Sequence, residues 1–424
     1  MIRWDRPRRP QHILQISMYK RDSTVTVQPF TRQLEGEDVI IGRAETGVFL
    51  AIPAEAVELL DYLAKGRSIG DAENFYREKY GETPDLVEFL ELLETKGIVA
   101  GNNGSATTRN AVAQPAVRLH YHFSDFPQPL AQLLFGRSAL ILYSLLTGLA
   151  VLLVVLNPHL ASGPADLYFS DHRTISWTII AIASYAALFL HELGHLIAAR
   201  AKGVNSRIGI GHRLWYLVAE TDLTGLWALP KQHRYMPMLA GIVVDAVSGS
   251  FLVFLLYAGD HRWLPLPMFI ARLVRAMIFT YLLRIVWQSF FFIRTDLYFI
   301  IATVCNCRNL LKDTEVFLRN KAGRILSFIR PVDQSAIPAA EFRIIRIYAF
   351  FWIAGRFAAF SVLFAITLPI AGRYIKSVAE AFQTGYSANP SNFIDALLLA
   401  GYFLLPLTIG FVMWTNSLLR RERA

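Results

Sequence analysis

The chain is read outward from Thr174-Ile-Ser-Trp-Thr-Ile-Ile-Ala-Ile-Ala-Ser-Tyr-Ala-Ala-Leu-Phe-Leu-His191-Glu192-Leu-Gly-His195-Leu-Ile-Ala-Ala-Arg200. Its first 17 residues carry no charge, and the whole run exceeds the roughly 20 residues needed to cross a hydrocarbon core. Three ionisable side chains then follow within five positions. Such groups are expensive in a transmembrane helix, so their presence points to a task. His191 and His195, four apart, project from one helical face about one turn apart and can reach a single Zn²⁺. Glu192 beside them suits polarising a water on that ion rather than ligating it. The plainer alternative is that both histidines pair with polar neighbours in a helical bundle.

The composition of the whole chain agrees with a membrane setting. Of 424 residues, 54% are hydrophobic and only 18% charged, and the mean hydropathy is +0.36. A soluble domain carries roughly 25% charged residues. These values exclude a disordered chain and a low-complexity one. They also speak against nucleic acid as a partner, because the net charge of +9 has a prior reading as cytoplasmic Lys and Arg that fix topology. Six stretches are long and apolar enough to span: about 138–156, 174–200, 235–257, 270–300, 344–371 and 392–415. Basic residues cluster after the second, fourth and sixth, which predicts cytoplasmic N- and C-termini by the positive-inside rule. The N-terminal ten residues have charges but no apolar core, so no cleavable signal peptide is expected.

A catalytic zinc site wants a third protein ligand and an open position for water. Asp296, in Phe291-Phe-Ile-Arg-Thr-Asp-Leu-Tyr-Phe299, is the candidate. His191 lies 17 residues into its span from Thr174, a depth of about 25 Å at the helical rise. Asp296 lies 20 residues past Ala276 in the same direction, about 30 Å deep by the same rise. Helix tilt absorbs the difference. The competing reading is an Asp296 that only neutralises Arg294.

Residues 1–100 look soluble. Asp38–Gly42 and Gly47–Ile52 are short β-rich runs joined by a turn, a hairpin pattern. Three helices are expected next: from Pro53 to Gly66, from about Ile69 to Tyr80, and from Thr83-Pro84 to Gly97. This order suggests a small winged-helix-like α+β domain. Residues 101–137 read as a linker and membrane approach, 138–415 as the membrane domain and 416–424 as a basic tail. The overall expectation is a mostly α, six-span helical bundle with the soluble domain in front and a cytoplasmic β-hairpin after the second span.

At this point the motifs resemble a known family. His191-Glu-Leu-Gly-His195, a basic β-rich segment after it, Gly241-x-x-x-Asp245 and Asp296-Leu-Tyr-Phe299 resemble the site-2 protease family of intramembrane zinc metalloproteases. They are most similar to its bacterial branch of peptide zinc metalloproteases. The run Tyr216…Glu220-Thr-Asp222…Trp227-x-Leu-Pro230…Arg234, leading into Leu239-Ala-Gly241, is similar to that branch too. The likeness covers roughly residues 130–415. It implies a multi-pass protein of the bacterial inner membrane, with zinc on His191, His195 and Asp296, Glu192 as base, and Gly241 and Asp245 beside the substrate. Where the family commonly has Asn and Pro before the aspartate and Gly after it, this chain has Gln288, Phe290, Phe291 and Leu297. No Pro or Gly therefore signals a helix break there.

The segment Arg207-Ile-Gly-Ile-Gly211 with Leu214-Trp215-Tyr216-Leu-Val218 reads as a hairpin whose edge captures an extended substrate by main-chain pairing; an amphipathic hairpin that only anchors the loop is the alternative. The soluble domain resembles the PqqD-like domains that grip leader peptides, which implies a ribosomally made peptide as substrate and an export partner. Two other readings follow from the same residues: a non-hydrolytic membrane adaptor that keeps the fold, and cleavage of a membrane-bound signalling protein. His120 and His122 precede the first span without a third ligand, and Cys305 and Cys307 read as reduced, half-buried thiols. Arg272, Arg275 and Arg284 read as snorkelling or bundle-paired charges, Arg284 with Asp245.

Overall fold

The computed structural model describes residues 2–3, 19–36, 38–43, 47–101, 119–122, 126–170, 172–213, 216–307, 309–326, 328, 330–335, 337–402, 404 and 408. They form two compact units, residues 1–117 with 222–234, and residues 118–221 with 235–424.

In the first unit the strands are β1 (Ile2–Arg3), β2 (Val25–Val27), β3 (Thr31–Glu35), β4 (Asp38–Arg43) and β5 (Val48–Pro53). The helices α1 (Ala54–Ala64), α2 (Ile69–Tyr80) and α3 (Leu86–Thr95) follow, and β6 (Val99–Gly101) closes the run. One sheet has the order β1-β5-β4-β3, and β2 pairs with β6. The expected hairpin is β4–β5, antiparallel with Gly42 opposite Phe49. The three expected helices are present. Ser68 and Asp71 form a capping box at the start of α2, which satisfies two of its otherwise orphaned N–H groups. Apolar faces recurring every three to four residues bury Leu60 and Leu63 of α1 and Phe89 and Leu90 of α3 against Ile41 and Leu50 of the sheet.

Residues 222–234, which the sequence reading assigns to the membrane domain, belong to this unit. A 3₁₀ turn, Thr224–Ala228, packs on β3, β4 and β5. Arg234 is fully buried. It donates from Nη1 to Glu35 at 2.8 Å and from Nε to the Leu229 carbonyl at 2.8 Å. Its guanidinium lies 4.9 Å from the Trp227 ring centroid. A buried charge survives only when it is paired and hydrogen-bonded, and Arg234 is both.

The second unit is mostly helical. It contains β7 (Leu119–His122), α4 (Gln128–Leu134), α5 (Arg137–Leu156), α6 (Arg173–Ala201), β8 (Arg207–Arg213) and β9 (Tyr216–Asp222). Then come α7 (Lys231–Asp260), α8 (Met268–Trp287), α9 (Asp296–Val304), α10 (Leu310–Gly323), α11 (Ala339–Val362) and α12 (Leu368–Thr384). Four helical stretches are long and apolar enough to cross a membrane: Gln128–Leu156, Arg173–Ala201, Lys231–Asp260 and Ala339–Thr384. The first three and the last correspond to sequence spans one, two, three and five. The fourth stretch, 270–300, is divided by an irregular segment between α8 and α9. The sixth is helical from 390 to 402, and most of its remainder lies outside the described residues.

The hairpin after α6 is present, and β7 joins it in a sheet of order β7-β8-β9. His120 and His122 stand opposite Gly209 and Arg207 in this ladder. Cys305 is half-buried and Cys307 buried.

Candidate metal centre

Three helices bring the site together. α6 carries His191 and His195 on its buried face, α7 packs across it, and α9 begins at Asp296. The contact between α6 and α7 is close because both sides are small at the crossing. A Cβ on Gly194 would stand 2.7 Å from a methyl of Val244 and 3.2 Å from the Ala240 carbonyl.

The imidazole Nε2 atoms of His191 and His195 are 3.2 Å apart. The Asp296 carboxylate reaches both with Oδ2, at 3.1 Å and 3.4 Å. Ligands about 2.0–2.1 Å from one ion at tetrahedral angles stand roughly 3.3 Å from each other, so this triangle has the edge length of a tetrahedral metal site. The outward nitrogens both face acceptors. His195 Nδ1 donates to the Pro237 carbonyl at 2.7 Å, and a carbonyl can only accept. His191 Nδ1 donates to Asp245 Oδ2 at 2.8 Å. In the neutral form each ring, with its proton on Nδ1, would turn the Nε2 lone pair inward. Three acceptors converging in that state would repel one another and be stabilised by a cation.

The space for that cation is kept by Gly241 of α7. A Cβ there would lie 2.3 Å from His191 Nε2 and 2.5 Å from His195 Nε2, against both inward nitrogens. His191, His195 and Asp296 therefore form a largely buried group able to hold a metal ion.

Each ligand is held by a second layer. Asp245 is 2% exposed, and besides His191 it meets Arg284 of α8, Nε donating to Oδ2 at 3.2 Å and Nη2 lying 3.2 Å from Oδ1. The sequence pairing of Arg284 with Asp245 is thus present. The carboxylate orients a ligand histidine, an arrangement that fixes ring geometry and raises ligand basicity.

The break between α8 and α9 forms without Pro or Gly. Gln288 caps α8 and reaches across: Oε1 accepts from the Asp296 backbone N–H and Nε2 donates to Asp296 Oδ2, each at 3.1 Å. Thr295 is the N-cap of α9, accepting from Tyr298 N–H at 3.3 Å, and donates back to the Gln288 carbonyl at 3.1 Å. On the far side, α11 comes close because Gly355 has no side chain. A Cβ there would be 2.9 Å from the Phe291 nitrogen. Tyr348 of α11 donates to the Phe291 carbonyl at 2.8 Å.

Glu192 sits next to the ligands, half-buried. Its Oε2 accepts from the Thr221 backbone N–H and hydroxyl, both at 2.8 Å. That hydroxyl also stands 2.9 Å from the Glu192 carbonyl. Thr221 lies at the end of β9, so the last strand of the hairpin is tied to the one acidic residue of the motif that is not a ligand.

The sequence-read His191, Glu192, His195, Gly241, Asp245 and Asp296 therefore meet in one place, with Gly241 and Asp245 against the ligand histidines. Trp215 and the side chain of Tyr216 lie outside the described residues. Gln288, Thr221, Arg284 and the Pro237 carbonyl complete the site. Of these, the sequence signals Arg284, a charge in an apolar stretch, and marks Gln288 only as a departure from the resembled family.

No protein-family model, curated protein or solved structure matches the chain.

Proposed function

We propose that this protein is a membrane-embedded zinc-dependent endopeptidase, cutting a peptide bond near the cytoplasmic side of a bacterial inner membrane it crosses six times. The observation that carries the reading is the 3.1–3.4 Å triangle of His191, His195 and Asp296 beside a glutamate that ligates nothing in it. Among common metal ions, a two-imidazole, one-carboxylate set with a tetrahedral edge favours zinc.

Bound zinc supplies Lewis-acid charge and acidifies water. The chain does the rest. Glu192, oriented by Thr221, takes the proton of the attacking water and returns it to the leaving amine nitrogen. Asp245 and the Pro237 carbonyl hold the two imidazoles in their neutral tautomers. In the sheet β7-β8-β9 only one side of β9 is paired among the described residues, so its other edge can take an extended peptide by main-chain pairing. A strand captured there runs toward Thr221, and hence toward Glu192. A helical peptide bond is shielded by its own hydrogen bonds, which is why an extended substrate is needed.

In this reading the N-terminal domain grips the leader of a ribosomally made peptide destined for export. Its four-stranded sheet ends in β3, an outer strand that a peptide can lengthen in the same way.

The test is Glu192→Gln in purified, membrane-reconstituted protein. Stoichiometric zinc with peptide hydrolysis reduced by 10²-fold or more is expected. Wild-type protein that holds no zinc after chelator-free purification, or a Glu192→Gln variant that still cleaves, would overturn the mechanism; the former outcome favours the adaptor.

A further inference from the structure

A second concave site lies away from the metal centre, between α10, the start of α11 and the loop joining them. The cavity is about 520 Å³, within the range that holds a small ligand. Lys321, Arg324 and Arg346 line it, and no carboxylate does. Among the described residues none of these three cations has an acidic partner within ion-pair distance. Three unneutralised charges around one hollow repel one another, a cost that a bound anion removes.

The hollow is built rather than incidental. Its floor is Phe317 and Phe342, packed edge to face at 5.5 Å. The Lys321 ammonium and the Arg346 guanidinium each lie 5.7 Å from one of these rings. Its wall is the 332–334 loop, stapled to α10 by Asn320. The Asn320 amide donates to the Val332 carbonyl at 2.8 Å and accepts from its N–H at 2.9 Å. Gln334 in turn donates to the Asp313 carbonyl at 2.9 Å. Asp333, the only acid in this loop, accepts from the Ser335 N–H and hydroxyl.

Directly after Arg324 the chain presents its apolar side chains outward. Ile325 is 85% exposed and Phe328 79%, and Arg330 follows. In water this exposure is unfavourable, whereas at a bilayer surface apolar tips flanked by arginines enter the acyl region and leave the charges at headgroup level. Basic hollows at that level on the cytoplasmic side suit anionic headgroups.

We infer that this cavity binds the phosphate-bearing headgroup of an anionic phospholipid, with Lys321, Arg324 and Arg346 as its ligands and Ile325 and Phe328 beside the acyl chains. The inference rests on the membrane placement of the chain and not on its hydrolytic chemistry. A protein that stays monodisperse without detergent would remove the placement itself, a different result from those below.

The experiment uses delipidated full-length protein in mild detergent, titrated with phosphatidylglycerol or phosphatidylcholine and read by native mass spectrometry, with inorganic phosphate and glycerol 3-phosphate as separate arms. Phosphatidylglycerol should bind in preference to phosphatidylcholine. The triple variant Lys321→Gln/Arg324→Gln/Arg346→Gln should weaken it on the order of 100-fold, since each cation near an anionic surface contributes roughly a fivefold factor. All three side chains are exposed, so the fold should be kept. The control Lys312→Gln/Arg319→Gln/Arg343→Gln removes equal charge from the same two helices outside the cavity and should keep the affinity. Equal losses in the two triple variants would mean diffuse charge and would overturn the site. Glycerol 3-phosphate or inorganic phosphate binding as tightly as the lipid would overturn the lipid assignment.

Discussion

Gln288 clasps Asp296 at both ends, accepting from its backbone N–H and donating to its carboxylate, each at 3.1 Å. One side chain thus starts a helix and aims a carboxylate of the group able to hold a metal ion. The break, which contains neither Pro nor Gly, is made by a polar clasp and by close approach to Gly355.

Gln288→Ala should therefore lower metal affinity by about 10- to 100-fold, the usual effect of losing a group that orients a ligand. Competition titration against a chromophoric chelator reads it. An unchanged affinity would mean the Asp296 rotamer is held by the backbone alone.

Gly241→Ala should abolish metal binding while leaving the helices formed, because the new Cβ stands 2.3 Å from His191 Nε2. Metal content by plasma mass spectrometry, alongside far-UV circular dichroism, separates loss of the ion from loss of the fold. Stoichiometric metal in this variant would refute the assigned position of the ion.

Asp245 and Arg284 should respond unequally. Asp245→Asn keeps an acceptor for His191 but removes charge, so metal affinity falls by about tenfold with the fold intact. Arg284→Ala leaves the Asp245 carboxylate buried without its cation, at a cost of roughly 3–5 kcal/mol in stability. The contrast is visible as a thermal shift much larger for Arg284→Ala, measured without metal.

Thr221→Val should leave metal bound and lower kcat by about tenfold, with Thr221→Ser restoring it, if the hydroxyl serves only to orient Glu192. The backbone N–H contact survives either change. Under the proposed hydrolysis, a Thr221→Val variant with wild-type kcat would leave the backbone contact as the sole positioning element.

Cys307 carries the pH prediction. Burial, aided by the nearby Glu341, pushes its thiol up to about 12. The folded state therefore favours the protonated form, which contributes stability below the ordinary thiol range near 8.5 that is lost as pH rises toward 12. Iodoacetamide at pH 8 should accordingly spare Cys307 in the folded protein and modify it after denaturation, as followed by peptide mass mapping.

Periodicity and spacing are legible in the sequence before any tertiary contact is known. Apolar runs located spans one, two, three and five, because a run of that length has few other solutions. The i, i+4 histidines defined a face, since 3.6 residues per turn leaves no choice about where they point. Hairpin and helix signals in residues 38–97 worked because strand alternation, caps and glycine stops are local.

Which residues complete the site depends on contacts between distant elements. Gln288 and Asp296 are eight positions apart with no helical relation, so their clasp needs the chain to turn, and that turn depends on Gly355 some sixty residues on. Residues 222–234 join the N-terminal unit through Arg234 and Glu35, about 200 positions apart, because a buried guanidinium must find a carboxylate wherever the fold puts one. Gly241 reads in the sequence as one small residue among many. Its meaning, the room left for an ion between two imidazoles, exists only once α7 lies across α6.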